Sequence, residues 1–155
     1  MFGSLSEEVE VKVAVDEAWQ VYGTMKFADI AAEVILERLD VIEGDGGVGT
    51  IIKVTFKPGS EISYYKEKFT IIDNEKRVKE AEIIEGGYLD IGFTLYRVRI
   101  EVKDNTNDNT RSSCLVKITI EYELKEEAAA NASLVTIEPY VVLMKFANEH
   151  LLSSN

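Results

Sequence analysis

The sequence predicts a single α+β domain over residues 1–155, an antiparallel sheet with one long C-terminal helix laid on a face. Three observations carry that expectation. A chain of 155 residues suits one core. Strand-type patterning runs almost unbroken from the end of a second helix to residue 124. Residues 125–152 then open on an alanine-rich run that reads as helix. Strands in one block with helices segregated from them mark the α+β class.

The elements follow in order. Val9, Val11, Val13 and Val15 alternate with charged residues, the period-2 pattern of a half-buried strand. Asp16 is expected to cap a short helix, DEAWQVYGTM (16–25), and FADIAAEVILERL (27–39) to form a second. A strand then leads into the glycine run. Strands follow at TIIKVTF (50–56), SYYKEKFTII (63–72), RVKEAEII (77–84), GGYLDIGFTLYRVRIEV (86–102) and SCLVKITIEYEL (113–124). KPGSE, DNEK and DNTNDNTR supply the turns between them. The last segment, 125–152, reads as one helix kinked at Pro139.

Composition narrows the function. A net charge of −11 with no basic stripe argues against nucleic acid and anionic membrane surfaces as partners. One His and one Cys make a dedicated zinc site implausible, so no metal is expected. Neither a signal-peptide pattern nor a membrane-length apolar run is present, and a cytoplasmic protein is the expectation.

Two strands carry charges on otherwise apolar faces. In 63–72, Tyr65, Glu67, Phe69 and Ile71 share a face. A carboxyl group there loses hydration, which raises its pKa toward the range of a proton-transfer group. In 77–84, Lys79, Ala81 and Ile83 share a face, and the acidic face of Glu80 and Glu82 belongs in water. Lys79 is thereby expected inside. With Glu67 opposite Ile83, Lys79 lies four residues along, roughly 13 Å away, so the two would bracket a ligand rather than pair. His150 sits late in the last helix on a stripe with Leu143, Phe146 and Ala147, which makes it a further candidate base. Cys114, among Val116, Ile118 and Ile120, reads as core.

IEGDGGVGTII (42–52) contains Gly44, Gly46 and Gly49 in G-x-G-x-x-G spacing. A dinucleotide site needs a helix after the glycines, and strand follows here, so a glycine-rich hairpin turn is expected instead. The same run, with the order of elements, resembles the birch-pollen-allergen (Bet v 1-like) family of class-10 pathogenesis-related plant proteins. DGGVGTI, YKEKF, IDNEKRVKE and IEGGYLD are similar to the norcoclaurine synthases and their relatives in benzylisoquinoline alkaloid pathways, neopinone isomerase among them.

The resemblance implies a helix-grip fold, a curved seven-stranded sheet and two short helices around the C-terminal helix, with a large apolar cavity between. It implies Tyr65, Glu67 and Lys79 as catalytic residues and no cofactor. A fourth position, an Asp in the synthases, is Val98 here, on a face with Tyr96, Ile100 and Val102. The chain also lacks the proline-containing stretch that links the second helix to the second strand in the synthases. Phe69, Ile83, Tyr96, Val98 and Phe146 are the expected substrate contacts. The function expected is double-bond isomerisation of a morphinan enone. Condensation of dopamine with an aldehyde is the alternative, and alkaloid storage without turnover a third. The partner expected is a small-molecule alkaloid, with the chain a monomer or homodimer.

Overall fold

In the computed structural model, which describes residues 1–153, alternating apolar residues build seven strands and one sheet. The strands are β1 (Phe2–Val11), β2 (Leu36–Glu43), β3 (Ile51–Phe56), β4 (Tyr64–Asp73), β5 (Val78–Gly86), β6 (Phe93–Asp104) and β7 (Cys114–Leu124). Their order is β1-β7-β6-β5-β4-β3-β2, every neighbouring pair antiparallel. Tyr96, Val98, Ile100 and Val102 of β6 and Cys114, Val116, Ile118 and Ile120 of β7 are buried at alternate positions. That alternation is what one packed face demands. Across it lie α1 (Val15–Tyr22), α2 (Met25–Val34) and α3 (Glu138–Ser153).

The differences from expectation have local causes. β1 lies earlier than the valine alternation indicates, ending at Val11, and Val15 already opens α1. Asp16 is not the cap: Ala14 holds that position without a side-chain bond, and Asp16 accepts from Arg77 at 2.5 Å. α2 stops at Val34 because β-branched Val34 and Ile35 end the good helix formers. Leu36 then pairs with Phe56 at the start of β2. The long stretch 86–102 is interrupted: Gly86 closes β5, a 3-10 turn covers Gly87–Ile91, and Gly92 at φ 95° opens β6. Only a residue without a Cβ takes that φ freely.

The C-terminal segment is not one helix. A 3-10 run over Glu126–Leu134 ends in extended backbone at Val135, and α3 starts at Glu138. Thr136 Oγ1 accepts from the Glu138 amide, and Pro139 sits in the first turn, where its missing N–H costs nothing. Pro139 starts the helix rather than kinking it.

Tyr22 fixes how α3 is rotated. Its buried hydroxyl lies 2.7 Å from Asn148 Oδ1 and 3.3 Å from the Met144 carbonyl. Ala147, fully buried, lets the backbones approach, and Leu143, Met144, Ala147 and Leu151 form the inner stripe.

Candidate active site

Between the sheet and α2 and α3 lies a cavity walled mostly by apolar side chains. Water-molecule centres have about 130 Å³ to occupy there, roughly ten times what one water needs. Phe27, Ala28, Ala31 and Ile35 form its helical wall, and Ile52, Val54, Phe69, Val98 and Ile100 its sheet wall. Exposed Thr136 and Pro139 place the start of α3 at its rim.

Three of the four expected catalytic residues meet in this cavity: Tyr65, Glu67 and Lys79. Glu67 pairs with Ile83 across β4 and β5, the register expected, while Lys79 pairs with Ile72. Between them β4 carries a bulge: Phe69 faces Ala81 and Ile71 faces Glu80, leaving Thr70 as the extra residue. The bulge inverts the phase beyond it. Ile71 is exposed rather than inward, and Ile72 packs on the core in its place.

Glu67 is half-buried, its side chain part of the mostly apolar cavity wall. Lost hydration raises its pKa to about 7, against the opposing pull of Lys79. Lys79 is 5% exposed. Burial lowers its pKa to about 8, with Glu67 pulling the other way. The two sense each other without forming an ion pair. Instead the ammonium lies 4.1 Å from the centre of the Phe69 ring and donates to the Thr24 carbonyl at 3.3 Å. The Tyr65 phenol is held neutral well above its ordinary range, burial first, then the neighbouring Tyr140 and Glu67.

Two further phenols were missed in the sequence. Tyr140, from the first turn of α3, neighbours Tyr65, and its own pKa is raised by burial and by Glu67. Tyr88, from the 3-10 turn, stacks on Tyr96 with ring centres 4.3 Å apart and planes 5° from parallel. Reading 86–102 as strand and 125–152 as one helix hid both; the Gly86-Gly87 pair before Tyr88 was the available signal.

The expected substrate contacts divide. Phe69, Tyr96 and Val98 line the cavity. Ile83 is buried in the core but is not part of the cavity wall. Phe146 is 42% exposed, and His150 is also exposed, both outside the cavity lining. The buried stripe of α3 is centred toward Met144 and Leu151, which leaves positions 146 and 150 on its flank. Glu80 corrects another expectation, since it is 7% exposed on the outer sheet face rather than in open water. Arg97 and Arg99 cover it.

The glycine run is a hairpin connection, with Gly44, Gly46 and Gly49 at φ 95°, 101° and 92°. Thr50, fully buried, accepts from the Gly46 amide, and the Gly49 amide donates to the Phe69 carbonyl at 2.8 Å. β3 follows, so no helix N-terminus faces the glycines. Among the described residues no cluster of potential metal ligands occurs, and no helix is long and apolar enough to cross a membrane.

The model of the pathogenesis-related protein Bet v 1 family matches residues 1–154. This chain belongs to that family. It is 45% identical over 156 residues to norbelladine synthase of Narcissus pseudonarcissus, covering 98% of this chain and 93% of that protein. S-norcoclaurine synthase 2 of Papaver somniferum is 41% identical over 150 residues, covering 94% of this chain and 63% of that longer protein. Among solved structures, norcoclaurine synthase from Thalictrum flavum in complex with dopamine and hydroxybenzaldehyde superposes with a TM-score of 0.85. The identity there is 36%, covering all of this chain and 88% of the other. The helix-grip architecture is thus that of the family, and the three relatives named here are a norbelladine synthase and two norcoclaurine synthases. None of these relatives is an isomerase, so the morphinan-enone expectation gains no support from them.

Proposed function

We propose that this protein condenses a phenolic arylethylamine with an aromatic aldehyde in its cavity, through an iminium. The observation that carries this reading is the burial of one carboxyl group and one amine in a single cavity, unpaired, with pKa values of about 7 and about 8. The similar Thalictrum enzyme, crystallised with dopamine and hydroxybenzaldehyde, supports the substrate classes.

The reaction needs proton traffic in two directions. The amine arrives as an ammonium, and the Glu67 carboxylate takes its proton, which frees the nitrogen lone pair. That nitrogen attacks the aldehyde carbon. As charge develops on the aldehyde oxygen, the Lys79 ammonium and the neutral Tyr65 hydroxyl are its donors. The carbinolamine then takes a proton on its hydroxyl and loses water, leaving the C=N bond. Apolar walls disfavour the returning water. Atoms and charge balance as ammonium plus aldehyde giving iminium plus water, the proton taken up by Glu67 returning to the departing hydroxyl, with no redox change.

Ring closure onto the arene requires a further base to remove the aromatic proton. Val98 is buried opposite Ala81, and the resemblance of the motifs implies an Asp of the norcoclaurine synthases at this position. The open-chain imine is accordingly the main expected product, and a tetrahydroisoquinoline the minor one. Incubation with dopamine and hydroxybenzaldehyde, followed by cyanoborohydride trapping, distinguishes them as a secondary amine and a cyclised product. No acceleration over buffer, with both compounds bound, would sink the enzyme reading and leave a carrier.

A further inference from the structure

Lys79 raises a physical problem of its own. A buried amine with no carboxylate in contact ought to shed its proton, and a neutral Lys79 could not donate to an oxygen. Two groups address it. The Phe69 ring lies under the ammonium with 4.1 Å from Nζ to its centre. The Thr24 carbonyl accepts from Nζ at 3.3 Å.

That carbonyl is held from two sides. Thr24 is the N-cap of α2, its hydroxyl oxygen accepting from the Lys26 amide at 3.2 Å. The same hydroxyl donates to the Gln20 carbonyl at 2.7 Å, closing the α1–α2 junction. Phe69 is no less fixed. It is buried, and its own amide and carbonyl bond Thr50 and Gly49 at the end of the glycine hairpin. The residues facing Lys79 across the strands, Ile72 on β4 and Ile100 on β6, are apolar. Glu67 is the charged group whose field reaches it.

We infer that Phe69 and Thr24 are positioning residues that keep the Lys79 side chain cationic and aimed into the cavity, one through its ring face and the other through its carbonyl. The inference deepens the condensation reading and rests on it for its catalytic meaning, but the charge state of Lys79 is measurable without turnover. A desolvated cation over an aromatic face is favoured enough to move a pKa by about one pH unit. Leucine at 69 keeps the site apolar and removes the ring quadrupole.

The test is a pH titration of Lys79 by NMR on protein carrying 13C at the lysine ε-carbon, with Lys79→Met to assign the signal. Phe69→Leu is expected to lower the Lys79 pKa by about one pH unit, with Phe69→Tyr holding it near the wild-type value. Thr24→Ala, which frees the junction, is expected to lower it by a smaller amount. The high-pH limb of kcat/KM should move down with the titration in each variant. A folded Phe69→Leu protein with an unshifted Lys79 titration overturns the inference, even if turnover falls, because the ring would then act on substrate alone. A shifted titration with an unmoved rate profile upholds the inference and instead overturns the role of Lys79 in condensation.

Discussion

Lys79 and Glu80 are neighbours in β5, both almost completely buried, and their surroundings are opposite. On the outer face, Glu80 and Glu121 share Arg97 and Arg99, with Arg99 at 2.9 Å from Glu80 and 2.6 Å from Glu121. The Glu121 carboxyl falls below its usual range, first through its hydrogen bond with Arg97. On the inner face, Glu67 and Lys79 stay apart, and each moves toward neutrality from its ordinary side. Contact locks charges into fixed states. Desolvation without contact leaves them able to exchange a proton near neutral pH. One strand, by alternating its side chains, thus builds a structural ion network and a reactive pair back to back.

Deleting charges separates the two faces of β5. Glu67→Ala or Lys79→Ala should lower kcat for the condensation by about a hundred- to ten-thousand-fold, with circular dichroism unchanged. Full rates in both variants would remove the proton-transfer reading. Glu80→Ala should do the converse: turnover persists, and urea denaturation shows a loss of about 1–2 kcal/mol, the arginines being partly solvated. Equal damage to activity from the outer and inner deletions would erase the distinction.

How far this was legible in the sequence depended on what kept strand phase. Tyr65, Glu67 and Lys79 were placed inward by alternation alone, whereas the Glu67–Ile83 register was an assumption: the pairing beside the turn, Asp73 with Val78, points Glu67 at Ile84, and the bulge at Thr70 shifts it to Ile83. Ile71 was misplaced because a bulge adds one residue to β4 without a mark in composition, and every side chain beyond it changes sides. The rotation of α3 was ambiguous for a different reason. Leu143, Phe146 and Ala147 with His150 make as good an apolar stripe as Leu143, Met144, Ala147 and Leu151. The choice is made by a bond 126 residues away in sequence, from Tyr22 to Asn148. Local pattern could not contain it. The family motifs supplied Tyr65 as a catalytic candidate, but not Tyr140 or Thr24.

A finer separation of the two faces comes from pH. The Glu67 carboxyl titrates at about 7 when folded, against 4.5 as its reference. The folded protein binds the extra proton between those values, so its contribution to stability is present below pH 4.5 and lost as pH rises through 7. Lys79 titrates at about 8 when folded, against 10.5. Between those values the unfolded chain binds the extra proton, so stability recovers as pH rises from 8 to 10.5. The inner pair therefore opposes folding most between about pH 7 and 8, where both groups are charged and the proposed reaction should run fastest. Thermal melts of Glu67→Gln should lack the wild-type decline between pH 4.5 and 7. A parallel decline in the variant would mean that another group causes it.

The smallest expected effect tests the rotation of α3. Phe146→Ala and His150→Ala alter side chains that are exposed and outside the cavity lining. Their kcat/KM should remain within about twofold of wild type, the range of surface substitutions. Met144, one position from the buried Leu143 and next to the Tyr22 hydroxyl, offers the contrast: Met144→Ala opens a void and should destabilise by about 2–5 kcal/mol. If His150→Ala instead lost turnover while Met144→Ala was silent, α3 would have to present its other flank to the sheet. Tyr22 and Asn148 would then be parted, and Pro139 at the rim and Tyr140 inside it would turn with the helix, so the cavity itself would have a different wall.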